Sequence, residues 1–245
     1  MTVCSRMVLT IVSCLLVAGC NPSGDQLVRK QGDAITVPGH DEEPPVTNLS
    51  ATRFLDPSTN SILTRYGSTI RLFAARYDLD WRLVLAVMKT ESSFNPGAVS
   101  QKGARGFMQI MPTTGREVGK ILSLDVLSRP VDNIHGGVFY LRKLYGLFQG
   151  AEPTERMKLT LAAYNAGIGR IYDAQEVASY LREDPNQWDS IRDTLPLLSK
   201  RYYTLHESVW SGGQPQSGWF TGSDETIEYV GKVMRSYDEY RLMLN

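Results

Sequence analysis

Beyond position 20 this chain of 245 residues has no cysteine; its three cysteines are Cys4, Cys14 and Cys20. A disulfide scaffold, a cysteine-ligated zinc site and a cysteine nucleophile are therefore excluded for residues 21–245. An excess of either charge is also missing, because 26 basic residues balance 26 acidic ones. Without a basic field the chain has no electrostatic footprint for a nucleic-acid partner. The histidines, His40, His135 and His206, are scattered without metal-ligand spacing, so no metal is predicted. Neither a sequence repeat nor an alternating apolar run long enough for a central strand is present. The fragment Gly167-Ile168-Gly169 has no strand ahead of it and does not make a dinucleotide fingerprint.

The longest apolar run, Met7 to Ala18, follows Arg6 and falls short of the roughly 20 residues that span a bilayer. It predicts a secretory signal over residues 1–19. Val17-Ala18-Gly19-Cys20 resembles the bacterial lipobox, which implies a lipidated Cys20 and a membrane anchor. Asn21, where an aspartate would favour retention, implies transfer to the periplasmic face of the outer membrane. An ordinary signal peptide that happens to contain Cys20 is the alternative. Residues 20–52 then hold Pro22, Pro38, Pro44 and Pro45 with no apolar period, a composition that buries too little to offset its ordering entropy. They predict a flexible tether with a typical reach of roughly 30 Å, ahead of a domain over 53–245.

From Asp56 the pattern becomes helical. Asp56-Pro57 supplies a cap and a first-turn proline, and Ile62, Tyr66, Ile70, Phe73 and Tyr77 follow at helical spacing. Asp80 can cap the segment Trp81 to Glu91, which is apolar on nearly every side and predicts a central helix. Leu141, Leu144, Tyr145 and Phe148 mark a further helix. Met157, Leu161 and Tyr164 mark another after Pro153, and Ile227, Val230, Met234 and Tyr237 a last one. The fold class is mainly α.

Glu91 stands out on the central helix. It follows Val84, Val87 and Met88 by seven, four and three residues, which places a carboxyl on a core-facing side. Desolvation and the negative end of the helix dipole both raise its pKa, and a carboxyl protonated near neutrality is what a general acid requires. A helix-terminal carboxylate that simply reaches solvent is the other reading of the same position.

Three motifs follow in order: Glu91-Ser92, Gly106-Phe107-Met108-Gln109 and Ala163-Tyr164-Asn165, with Glu225-Thr226-Ile227-Glu228-Tyr229-Val230 near the C-terminus. Together they resemble the lysozyme-like lytic transglycosylases of the SLT domain family, with Phe107 where that family usually has Leu. Asn186-Gln187-Trp188, Leu195 to Ser199 and Tyr202-Tyr203 are most similar to the catalytic module of the membrane-bound F subfamily, whose additional solute-binding domain residues 21–52 are too short to hold. The resemblance implies a goose-type helical domain with a glycan-binding groove. It also implies cleavage of the N-acetylmuramic acid to N-acetylglucosamine bond of peptidoglycan, with no cofactor.

Carried onto this chain, the resemblance makes Glu91 the sole catalytic acid and base and Tyr164 the tyrosine that assists it. Ser100, Gln109, Met111, Asn165 and Tyr229 become substrate-binding positions, with Glu225 and Tyr229 beside the catalytic helix. Between Glu91 and Asp125 the only other acid is Glu117, whereas conventional glycosidases need a carboxylate pair. One acid suffices if the sugar's own 6-hydroxyl is the nucleophile. Competing readings remain: a muramidase that uses water, or a peptidoglycan-binding lipoprotein without turnover. Residue by residue, Tyr164 can be core, Ser100 and Gln109 can cap loops, and Glu225 can pair near a helix start. Finally, Tyr203, Trp210, Trp219 and Phe220 surround Ser211-Gly212-Gly213-Gln214-Pro215. They predict a loop whose aromatic faces hold a glycan strand, or else tryptophans folded into the core.

Overall fold

The computed structural model describes residues 55–244. The predicted signal segment 1–19, Cys20 and the predicted tether 20–52 lie outside the described residues. Helix α1, Pro57–Arg76, begins where Asp56 accepts the Thr59 N–H at 3.0 Å. Helix α2, Trp81–Ser92, begins where Asp80 accepts the Arg82 N–H at 2.9 Å. Both caps satisfy an N–H that the helix itself leaves without a partner.

Then come α3, Pro112–Leu122, α4, Pro130–Tyr145, and α5, Pro153–Ala166. Like α1, these three open on a proline, whose missing N–H costs nothing in the first turn. Helices α6, Ile168–Tyr180, α7, Trp188–Thr194, and α8, Tyr203–Val209, lead to the long α9, Ser223–Met243. No strand forms among the described residues. The segment between α2 and α3 contains two isolated bridges, Val99 to Arg105 and Arg105 to Ile110.

Helix α2 is central because Leu83 through Met88, six consecutive residues, are each 2% exposed or less. A helix buried on every side must be enclosed by others, and α9, α1 and the segment after Ser93 enclose it. Helix α9 runs antiparallel to α2: Tyr229 in its second turn reaches Glu91 at the end of α2, and Tyr237 donates to Asp80 at the start of α2 over 3.0 Å. Tyr240 and Thr59 join their hydroxyls at 3.1 Å, tying the far end of α9 to α1. Helix α5 packs on α9, α4 and α6.

The mainly helical expectation holds, and the five anticipated helices are present. Helices α6, α7 and α8 were not anticipated. The aromatic stretch from Tyr203 departs from the expected loop at its start, and for Trp210 the core reading, one of the two left open, holds. The stretch opens with helix α8, and Trp210 is only 7% exposed, with its indole N–H donating to the Glu176 carboxylate. Trp210 therefore belongs to the core, while Trp219 stays 41% exposed.

Candidate active site

Helix α2 ends just past Glu91 because Ser93 adopts a left-handed conformation, φ 50°, and returns its N–H to the Lys89 carbonyl. The backbone turns away there, leaving the Glu91 side chain between α9 and the following loop. Its Oε1 accepts the Tyr229 hydroxyl at 2.7 Å. Burial raises the Glu91 pKa from 4.5 to about 7, the Tyr229 hydrogen bond opposes the rise, and the nearby Glu225 carboxylate adds to it. Desolvation outweighs the single hydrogen bond, so protonated and ionised forms are both accessible near neutrality.

Two tyrosines share this environment. Tyr164 and Tyr229 both have pKa values held well above 10, first by burial and then by the Glu91 charge. Each is therefore a neutral donor. Tyr229 donates to Glu91, whereas Tyr164 donates to the Met108 carbonyl at 2.7 Å and rests against Tyr140 with ring centroids 5.6 Å apart. Tyr164 thus lies within electrostatic reach of Glu91 while its hydroxyl holds the Gly106-Phe107-Met108-Gln109 turn.

That turn is fastened from several sides. Ser92 donates its hydroxyl to the Phe107 carbonyl at 3.0 Å, so the residue after Glu91 grips the loop directly. Gly106 has φ 77°, and a Cβ there would stand 2.6 Å from Asn133, so both conformation and contact require glycine. Gln109, itself at φ 44°, donates its amide to the carbonyls of Gly106 at 2.9 Å and Ala98 at 3.2 Å. The exposed Ser100 accepts the Ala104 N–H at 3.0 Å. Met111 precedes α3 and is 40% exposed. Asn165 accepts the Thr226 hydroxyl at 2.8 Å, joining the end of α5 to the start of α9.

The structure therefore brings Glu91, Tyr164 and Tyr229 together and places Asn165 on the adjoining helix junction. Ser100, Gln109 and Met111 lie on the loop that runs from Glu91 to α3, with Ser100 and Gln109 spending hydrogen bonds on its shape. Sequence reasoning missed Asn133. This residue is 2% exposed on α4, accepts the Met108 N–H at 2.9 Å, and donates to the carbonyls of Arg105 at 3.0 Å and Val126 at 2.9 Å. The available signal was an asparagine within an apolar helical segment, where its propensity is poor and only a specific partner justifies it.

Chemically, the arrangement offers one carboxyl that can release and recover a proton, a phenol that steadies its anion, and a rigid loop alongside. No group of three or more His, Cys, Asp or Glu residues that could hold a metal occurs among the described residues.

A family model for the transglycosylase SLT domain matches residues 68–186. The chain is 35% identical over 177 residues to membrane-bound lytic murein transglycosylase F of Desulfosudis oleivorans, covering 72% of this chain and 36% of the relative. It is 34% identical over 188 residues to the protein of the same name from Shewanella oneidensis, covering 76% of this chain and 36% of the relative. The chain thus spans little more than a third of the length of these relatives. Among solved structures, the 70-kDa soluble lytic transglycosylase SLT70 of Escherichia coli is similar with a TM-score of 0.50 and 23% identity, over 74% of this chain and 24% of that one. That likeness establishes the fold.

Proposed function

Over residues 68–186 the chain is a member of the transglycosylase SLT domain family, and on that premise we propose that it is a peptidoglycan lytic transglycosylase. Glu91 carries the proposal: it is a desolvated carboxyl with a pKa of about 7, hydrogen-bonded to Tyr229. The carbon–oxygen bond broken joins C1 of N-acetylmuramic acid to the oxygen of the next N-acetylglucosamine. Protonated Glu91 gives its proton to that oxygen as the bond breaks and positive charge grows on the muramyl ring. The resulting carboxylate takes the proton of the same sugar's 6-hydroxyl, whose oxygen then bonds to C1. A 1,6-anhydro ring closes, no water is consumed, and Glu91 ends protonated as it began.

The remaining residues serve this cycle. Tyr229 stabilises the transient carboxylate, and Tyr164 fixes the loop that adjoins it. Ser100, Gln109, Met111 and Asn165 offer polar and apolar groups to the glycan, Gln109 through the amide oxygen left free by its two donated bonds. Cys20 is the lipidation site and residues 20–52 the tether. A domain so attached works from the periplasmic face of the outer membrane, with the signal segment 1–19 removed. Digestion of purified peptidoglycan followed by mass spectrometry tests the reaction. Muropeptides with 1,6-anhydromuramyl ends, one water lighter than hydrolytic products, are expected; reducing muramyl ends as the main product make the enzyme a muramidase instead.

A further inference from the structure

Three residues outside the catalytic cluster form a patch of distinct chemistry. Trp219 is 41% exposed, and Lys200, also exposed, holds its ammonium 4.9 Å from the indole centroid. Arg170, half-buried at the start of α6, donates to the Gly218 carbonyl and lies 5.6 Å from the Phe220 ring. Among the described residues neither Lys200 nor Arg170 is engaged in an ion pair, as is true of several other cations. Lys200 beside the exposed indole, with Arg170 nearby on Gly218 and Phe220, offers positive charge and an apolar face to an anionic partner.

The segment bearing Trp219 is held in place. The buried Asp173 accepts the N–H groups of Gln216 at 3.1 Å and Ser217 at 3.0 Å, and the Phe220 N–H donates to the Leu198 carbonyl at 3.1 Å. A fixed loop gives up little entropy on binding. It also feeds directly into α9, whose Thr226 bonds Asn165 and whose Tyr229 bonds Glu91. From Ser223 to Tyr229 is about 9 Å along the helix axis, and Trp219 stands four residues before Ser223, so the chain leads from the patch into the helix that carries Tyr229. Arg170 follows Asn165 by five residues, at the start of α6.

We propose that Trp219, Lys200 and Arg170 form a subsite that recognises peptidoglycan by its peptide stem, the cations taking stem carboxylates and the indole covering an adjacent sugar face. This rests on the glycan-cleaving function proposed above. Stem carboxylates match the charge of the two cations, and the C–H faces of sugars match an exposed aromatic ring. Lys200 is the specificity-determining residue, because Arg170 is partly committed to Gly218.

Binding in a Glu91→Gln background separates this subsite from the reaction. Stem-bearing glycan strands and stem-free N-acetylglucosamine oligomers, which also lack the lactyl carboxylate that an amidase would leave, are titrated against the full chain with Lys200→Glu or Trp219→Ala added. Lys200→Glu is expected to weaken stem-bearing strands about tenfold at low salt, around twice the logarithmic effect of losing one exposed ion pair, and less at high salt. Stem-free oligomers should bind it as before, whereas Trp219→Ala should weaken both. Equal weakening of both ligands by Lys200→Glu, or no weakening of either, overturns the proposal. So does an effect of Lys200→Glu seen only on vesicles containing phosphatidylglycerol, which would make the patch a membrane contact. If the wild-type chain yields no anhydro ends, the reaction fails while the binding comparison still decides the subsite.

Discussion

Tyr229 donates its hydroxyl to Oε1 of Glu91 over 2.7 Å, from a helix 138 positions further along the chain. The pair exists because α9 runs antiparallel along α2, so that the second turn of one helix meets the last turn of the other. Its energetics are a contest. Burial of the carboxyl favours the neutral acid, the phenol favours the anion, and Glu225 favours the acid again. A proton that must leave and return during one cycle needs such a near balance.

The contest predicts opposite shifts from two substitutions. In Tyr229→Phe the anion loses its hydrogen bond, Glu91 holds its proton to higher pH, and the alkaline limb of the kcat/KM profile moves up. In Glu225→Gln a repulsive charge disappears, Glu91 releases its proton earlier, and the same limb moves down. The alkaline limb reports the essential acid of the free enzyme, so profiles of the two variants against wild type check both directions. Shifts of the same sign would mean that Glu91 is not the titrating acid.

Glu91→Gln should remove at least about 10²-fold of the turnover, the scale of general acid–base catalysis, and should alter stability with a definite sign. The folded pKa, about 7, exceeds the ordinary value of 4.5, so between those values the folded state binds more protons than the unfolded one. Stability of the wild type therefore declines as pH rises through that window. The amide has no proton to lose. Thermal unfolding from pH 4 to 8 should show Glu91→Gln gaining on the wild type as pH rises, with the gap level above about pH 8. A gap independent of pH would contradict the burial of an ionisable group there.

Asn133→Ala should destabilise the protein by about 3 kcal/mol, because it leaves several buried backbone groups without partners. Those groups belong to Arg105, Met108 and Val126, so the loop beside Glu91 loosens along with the core. Denaturant titration gives the stability. A fall in kcat measured well below the unfolding midpoint, with the alkaline pH limb unmoved, identifies loop placement as the functional loss.

Cys20→Ser should transfer the protein from the membrane fraction to the soluble one, since a lipidated cysteine supplies the acyl chains that stable anchoring requires. Peptidoglycan digestion in solution should persist. Fractionation of cells expressing the variant checks this, and unchanged sedimentation with membranes would remove Cys20 as the anchor.

Much of the fold was legible because its helices announce themselves locally. Asp56 and Asp80 each stand one residue before the helix they cap, and the apolar residues of α2 continue around the whole helix, which only a central position accommodates. Helix α6 was missed although Ile171, Ala174, Val177 and Ala178 are buried at helical spacing, because alanines add little contrast to an apolar stripe. Helices α7 and α8 have seven residues each, too few for a period to register. At the candidate site, the apolar spacing before Glu91 was readable and so was its raised pKa. The resemblance placed Tyr229 beside the catalytic helix but not its hydrogen bond to Glu91, and the bonds of Asn133 to Arg105 and Met108 were not readable, since they join segments that only packing brings together.

The two tryptophans of the aromatic stretch, alike in sequence context, should behave as opposites. Trp210 is 7% exposed, its ring centroid lies 5.6 Å from that of the fully buried His206, and its N–H meets Glu176. His206 in turn contacts the Leu197 carbonyl at 2.7 Å, so Trp210 closes the packing of α8 against α6 and the turn before it. Trp210→Ala should cost about 3–5 kcal/mol, the usual range for removing a large core aromatic, and Trp210→Phe should recover most of that while still lacking the indole donor. Trp219→Ala, at an exposed position, should change stability by no more than about 0.5 kcal/mol. Urea denaturation of the three variants, with mass spectrometry of their peptidoglycan products, checks the distinction. Trp210→Ala should unfold at lower urea and still yield anhydro ends wherever it remains folded. Equal stability of Trp210→Ala and Trp219→Ala would return Trp210 to the surface, with a glycan-binding role for both rings.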